Sequence, residues 1–308
     1  MPSVAPLPQS SNPSPSQVLD ALNNVLLGKR EQSTLALTCV LARGHLLIED
    51  VPGVGKTTLA RAFGQLLGLP WTRVQFTNDL LPADVVGVSI FDAKSQEFQF
   101  QPGPVFTSLL LADEINRAPA KAQSALLEAM EERQVTVDGV TRELPNPFFV
   151  IATQNPGEQR GVFGLPESQL DRFLLGISLG YPAPEQELEL LAQGDTRATV
   201  DTLEPLLSPS VLLSWMDAID KVHVADSVLK YLHELVIASR TDGNGLSPRA
   251  ALGLVRASRA YAFVHEQDHV LPDDVKAVFA SVAGHRLTGS VHSGEMAATH
   301  IINSVTAP

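Results

Sequence analysis

The sequence predicts an α/β protein, a mostly parallel sheet with helices on both faces, followed by an all-helical C-terminal lid domain. Three observations carry this. Short, predominantly apolar runs, of the kind a strand covered on both faces needs, recur at 46–48, 109–112, 148–152 and 174–179, with helix-spaced stretches between them. A loop bearing glycine and proline joins the first of these runs directly to a helix. Beyond Tyr181-Pro182-Ala183-Pro184 the strand signals stop, and helices opened by Ser208-Pro209, Ser247-Pro248 and Leu271-Pro272 take over.

Taken in order, residues 1–16 are dominated by Pro and Ser, lack Lys and Arg and hold no apolar run, which predicts a disordered tail rather than a secretory leader. Residues 18–42 carry helical spacing broken at Gly28-Lys29, which predicts two short helices around a loop. A strand at 46–48, a loop at 50–55 and a helix at 57–67 stopped by Gly68 come next. Strands are expected at 73–76, 109–112, 148–152 and 174–179, with a helix over 120–132. Residues 88–100 and 135–144, the latter centred on Asp138-Gly139, break the alternation and read as inserted β-hairpins. The expected division is a tail at 1–16, an α/β domain at 17–182, a linker at 183–204 and a helical domain at 205–308.

Composition narrows the function. Over 308 residues, 22 Lys and Arg oppose 34 Asp and Glu, for a net charge of −12, which disfavours broad adhesion to nucleic acid or anionic lipid. With 44% hydrophobic and 18% charged residues the chain is globular, and no apolar run approaches the roughly 20 residues of a membrane-spanning helix. The single cysteine, Cys39, excludes an internal disulfide and a multi-thiolate metal site, and reads as a small core residue. A soluble, cytoplasmic protein without membrane insertion is expected.

The strongest motif is Val51-Pro52-Gly53-Val54-Gly55-Lys56-Thr57-Thr58, set between a strand and a helix. Glycines let backbone N–H groups turn inward around phosphate oxygens, and the helix N-terminus adds its positive dipole end. Lys56 supplies a point charge, and the Thr57 hydroxyl suits Mg²⁺. Asp50 stands where the usual pattern has its first glycine. The run 109–112 then delivers two adjacent carboxylates, Asp113 for the Mg²⁺ shell and Glu114 to polarise an attacking water, a division suited to hydrolysis. Asn155, at the end of the run 148–152, offers a neutral amide to hold that water or a phosphate oxygen, or simply forms a turn before Pro156. Arg172 is placed either to spread transition-state charge or to pair with a nearby carboxylate. Arg249 opens a helix of the second domain and would report the phosphate state if that domain folds over the nucleotide. His265-Glu266-Gln267-Asp268-His269 matches a zinc-hydrolase pattern, but polar intervening residues and the approaching Leu271-Pro272 make it a solvated turn.

From about residue 25 to 287 these features resemble the AAA+ ATPases and, within them, the MoxR family. Asp113-Glu114-Ile115-Asn116-Arg117-Ala118, Leu126-Leu127-Glu128-Ala129-Met130-Glu131-Glu132 and Ala152-Thr153-Gln154-Asn155-Pro156 resemble MoxR sequences specifically. The resemblance implies an AAA+ P-loop NTPase domain and an ATPase using ATP and Mg²⁺, with Asn155 as sensor 1, Arg249 as sensor 2 and Arg172 as a finger reaching a neighbouring subunit's nucleotide. It places Gly28 beside adenine and the two hairpins toward a central pore or the substrate. It further implies a homo-oligomeric ring, usually a hexamer, working with a von Willebrand factor A-domain protein on a protein client in a chaperone-like manner. Two alternatives are a DNA translocase or helicase, disfavoured by the charge of −12 and the mixed-sign hairpins, and a nucleotide-gated scaffold.

Overall fold

The computed structural model describes residues 13–156, 164–193, 200, 202–241 and 245–308. Residues 1–12 of the expected tail, and 194–199 and 201 of the expected linker, lie outside the described residues. Helices α1 (Pro15–Asn23) and α2 (Arg30–Leu41) precede β1 (Leu46–Glu49), α3 (Lys56–Leu66) and β2 (Trp71–Gln75). A short α4 (Pro82–Val86) leads into a hairpin of β3 (Gly87–Asp92) and β4 (Glu97–Pro102). Strand β5 (Leu109–Asp113) is followed by a 3-10 turn at Ile115–Arg117, α5 (Ala120–Glu132) and a second hairpin of β6 (Gln134–Val137) and β7 (Val140–Glu143). Then come β8 (Phe149–Gln154), α6 (Glu167–Leu170), β9 (Leu175–Ile177) and α7 (Pro184–Gln193), a helix inside the stretch expected to link the domains.

The sheet runs β2-β5-β8-β1-β9, parallel throughout, with Leu46 opposite both Ile151 and Leu175 and Leu109 opposite both Trp71 and Phe149. Because side chains alternate along a strand, the sheet feeds two cores. Leu46, Ile48, Leu109, Leu111, Ile151 and Leu175 enter one with α2 and α3, whereas Leu47, Leu110, Ala112, Val150 and Ala152 enter the other with Leu126, Leu127 and Met130 of α5. Both faces being covered explains why these strands read as unbroken apolar runs.

The C-terminal part is α8 (Pro209–Ile219), α9 (Asp226–Ser239), α10 (Pro248–Val264), α11 (Pro272–Thr288) and α12 (Val291–Ser304). Pro occupies the first helical position of α8, α10 and α11, and the Ser247 hydroxyl accepts the Ala250 N–H at 3.0 Å to start α10. These helices share the first core with the sheet: Leu254, Val278 and Val282 pack into the same apolar cluster as Leu175. Small residues set the approach. A Cβ on Gly176 of β9 would meet His285 Nδ1 of α11 at 2.8 Å, and one on Gly294 of α12 would fall inside the Gly284 carbonyl. No helix among the described residues is long and apolar enough to cross a membrane.

Candidate functional site

Parallel strands open all their carboxyl ends on one edge, so Glu49, Gln75, Asp113 and Gln154 share that edge with the loops that follow them. The loop after β1 turns through Gly53 at φ +88° and Gly55 at φ +100°, a left-handed conformation that only glycine adopts without strain, and α3 begins at Lys56. Pro52 and Gly53 are exposed, and Val54, Gly55, Thr57 and Thr58 are half-buried. Asp50, which stands in place of the usual glycine, ties this loop down. Its Oδ2 accepts the Gly180 N–H at 2.7 Å and the Ser178 hydroxyl at 2.9 Å, and its own N–H donates to Gln154 O at 3.1 Å.

Lys56 is buried and donates from Nζ to Asp50 O at 2.6 Å and to Asn155 Oδ1 at 2.9 Å. Burial pushes its pKa down, against the pull of Asp50, Asp113 and Glu114. The Asn155 amide donates to Glu114 Oε1 at 3.1 Å, so lysine, amide and carboxylate form one chain across three loops. Glu114 sits in the left-handed region at φ +55°, ψ +49°, and its N–H donates to Thr153 Oγ1 at 2.9 Å. A non-glycine residue in that conformation costs about 1–3 kcal/mol and persists only where its surroundings hold it. Gln75 (2.8 Å) and Arg117 (3.0 Å) complete the hold on Glu114 Oε2. Neighbouring Asp113 accepts the Thr153 hydroxyl at 2.6 Å on Oδ1 and two Arg73 N–H groups at 2.6 and 3.1 Å on Oδ2.

Arg73 and Gln75 were not among the expected site residues. Their signal was present, since residues two apart on a strand share a face, but nothing in the sequence says that β2 lies beside β5. On the far side of the loop, Gly28 at φ +69° has Gln186 of α7 against it, and Leu26 lies against Gly55. Lys29 Nζ donates to the carbonyls of Gly180 (3.1 Å) and Tyr181 (2.7 Å). Residues 26–29 therefore border the phosphate loop.

Arg172 and Arg249 lie elsewhere. Arg172 precedes β9, and β1 rises about 10 Å between Leu46, level with Leu175, and Glu49 at the loop. Arg172 Nη2 pairs with Glu131 Oε2 at 3.2 Å, and Arg249 pairs with the other oxygen of the same carboxylate. The helical domain thus does not bring Arg249 to its own chain's phosphate loop; it sets it beside Arg172 on the opposite sheet edge. The histidine motif is also apart. Helix α10 ends at Val264, Glu266 turns at φ +59°, and His265 Nδ1 lies 2.9 Å from Tyr261 O.

Among the described residues no group of three or more His, Cys, Asp and Glu side chains is placed to hold a metal. Asp113 and the Thr57 hydroxyl are hard oxygen donors in the small number that Mg²⁺ takes when a nucleotide's phosphates and water fill its other positions, so the residues present fit that ion.

A strand, a positive-φ glycine loop and a helix opening on Lys56-Thr57, with β8 set between that strand and the β5 strand that leads into two carboxylates, define the AAA class of phosphate-loop ATPases. Comparison with known proteins agrees. Residues 45–175 match the model of the ATPase family associated with various cellular activities (AAA), and residues 237–304 match the AAA lid domain. The chain is 45% identical to the uncharacterized protein YeaC of Bacillus subtilis (strain 168), over 88% of this chain and 86% of that one. It is 40% identical to Chaperone MoxR1 of Mycobacterium tuberculosis, covering 92% of this chain and 78% of that one, and 34% identical to Protein MoxR of Paracoccus denitrificans, covering 87% and 86%. A crystal structure from Cytophaga hutchinsonii ATCC 33406, described as that of a candidate ATPase, superposes with a TM-score of 0.82 at 36% identity and covers 94% of both chains. The chain belongs to the MoxR family of AAA+ ATPases.

Proposed function

We propose that the chain hydrolyses ATP to ADP and phosphate in a Mg²⁺-dependent reaction, and that hydrolysis between copies in a ring drives remodelling of a client protein. The observation that carries this reading is the chain Lys56–Asn155–Glu114. It aims a carboxylate at the place where a terminal phosphate would lie against Lys56, with a neutral amide touching both. Glu114 accepts a proton from water as the water oxygen bonds to the γ-phosphorus, and the bond to the β–γ bridging oxygen breaks to release ADP. Asn155 positions that water, while Lys56 and the N–H groups of residues 53–58 carry the phosphate charge. Thr57 and Asp113 would hold Mg²⁺, which when bound neutralises charge on the phosphate oxygens. Gly28 borders the base.

Arg172 faces away from its own loop, so its guanidinium serves a nucleotide only if that nucleotide belongs to a second copy; Arg249 stands beside it. We assign both to the neighbour's phosphates, in a ring that we take to be a hexamer in the cytoplasm. The β3–β4 hairpin exposes Phe91 and Phe98, stacked edge to face at 5.3 Å, and offers an apolar contact to a protein client rather than a cationic one to DNA. The likeness to Chaperone MoxR1 supports a chaperone role; a von Willebrand factor A-domain protein as adaptor is our own proposal, taken from the resemblance of residues 113–118, 126–132 and 152–156 to MoxR sequences.

Glu114→Gln tests the reading. Phosphate release should fall by about two orders of magnitude while ATP binding, followed by a fluorescent analogue, persists. Undiminished turnover removes Glu114 from the reaction, and absence of nucleotide binding by the unaltered chain removes the whole assignment.

A further inference from the structure

The sheet edge opposite the phosphate loop holds an arrangement that the hydrolytic site leaves unused. One carboxylate, Glu131 on the last turn of α5, is shared by two guanidiniums from distant parts of the chain, Arg172 before β9 and Arg249 in the first turn of α10. Behind them lies a second, less exposed pair. Asp171 Oδ1 accepts Arg286 Nε at 2.8 Å, and its Oδ2 accepts the Ser247 hydroxyl at 2.9 Å. The Arg286 side chain, only 6% exposed, also donates to the carbonyls of Asp171, Phe173 and Leu174. The residues flanking Arg172, and the one two before Arg249, are therefore fixed by a single guanidinium–carboxylate core. The end of α5 is fixed in turn, because His45 Nε2 lies 3.2 Å from Met130 O.

Two like charges do not stay side by side unless something between them offsets the repulsion, and Glu131 is that group. Yet its pairs are half-open to water, with side-chain exposures of 32% for Glu131, 29% for Arg172 and 51% for Arg249. Pairs that exposed are weak, so they orient the guanidiniums without trapping them. A polyphosphate accepts two guanidinium forks at once and competes readily for both. Other guanidiniums gather nearby: burial, and after it the proximity of Arg43 and Arg256, disfavour the charged form of Arg133.

We propose that Glu131 is a positioning residue, holding Arg172 and Arg249 as one guanidinium pair and releasing it to the triphosphate bound by a second copy of the chain. This rests on the assignment of ATP hydrolysis between copies. The test uses the full chain and its Glu131→Ala, Glu131→Gln and Arg172→Ala/Arg249→Ala variants, with phosphate release measured across a protein-concentration series. Binding of a fluorescent ATP analogue and the thermal midpoint are read on the same samples. Glu131→Ala should lower kcat at saturating protein by about tenfold or more, the scale of a misplaced catalytic group, with analogue affinity and thermal midpoint unchanged. Glu131→Gln, which keeps the acceptor oxygen, should recover part of that loss. Adding Glu131→Ala to the double-arginine variant should cost nothing further. Wild-type kcat in Glu131→Ala, an equal loss in the double-arginine background, or a loss that follows a lowered thermal midpoint overturns the positioning role. Failure of the unaltered chain to hydrolyse ATP at any concentration overturns the underlying assignment instead, and the positioning role with it.

Discussion

Lowering the pH from 7.5 to 5 will weaken the fold through His45. This side chain is buried between β1, α5 and β8, where Nδ1 accepts the Val150 N–H at 3.0 Å and Nε2 donates to Met130 O. Burial pushes its pKa down from 6.5 to about 4, with Arg133 adding to the shift and the Met130 bond opposing it. Since the folded value lies below the unfolded one, the unfolded chain binds more protons between the two. The stabilisation is therefore complete above about pH 6.5 and is lost as the pH falls toward about 4. From those two values the loss at pH 5 is about 2 kcal/mol, a substantial part of a typical folding free energy. His285, buried beside Arg286, acts in the same direction, whereas Asp274, whose pKa burial raises, acts in the opposite one. His45→Gln isolates the term, because an amide can accept from Val150 and donate to Met130 but does not titrate. Urea unfolding at pH 7.5, 6 and 5 should show the wild type losing about 2 kcal/mol more than the variant across that range. Equal losses in the two proteins would refute the assignment of the buried neutral imidazole.

Three further outcomes are expected. Arg172→Ala and Lys56→Ala proteins should each be inactive in ATP hydrolysis but regain activity when mixed, since one supplies an intact loop and the other an intact finger; no recovery in mixed assemblies would make Arg172 structural. Arg73→Gln removes the cation from Asp113 Oδ2, so the Mg²⁺ concentration giving half-maximal nucleotide binding should fall severalfold; a rise would show that Arg73 shapes Asp113 for the ion instead. Gly294→Ala inserts a methyl group against the Gly284 carbonyl between α11 and α12, and chemical denaturation should show a loss of about 1–3 kcal/mol or more; an unchanged midpoint would mean that the helices separate at no cost.

What could be read in advance was local. The loop 50–58, the pair Asp113-Glu114 and the two hairpins each lie within a few consecutive residues, where φ preference, strand alternation and turn chemistry act directly on neighbours. Asp50 shows the limit of such reading. In the sequence it looks like a defect in a glycine pattern, and only the carbonyl edge of β1 beside residues 178–180 reveals it as the loop's anchor.

By itself the sequence determined the alternation of buried strands and helices, the glycine cradle with Lys56 and Thr57, and the presence of two carboxylates at a strand end, because each follows from the chemistry of adjacent residues. Only the tertiary structure decided that β2 borders β5, so that Arg73 and Gln75 grip those carboxylates 40 and 39 residues away. Only it, too, set Arg249 beside Arg172 on Glu131, 118 residues distant from Arg249, rather than over the phosphate loop. Strand order and helix docking arise from which apolar faces fit together, with Gly176, Gly284 and Gly294 admitting the close approach of α11 and α12. Fit between surfaces far apart in the chain leaves no periodic trace in the sequence.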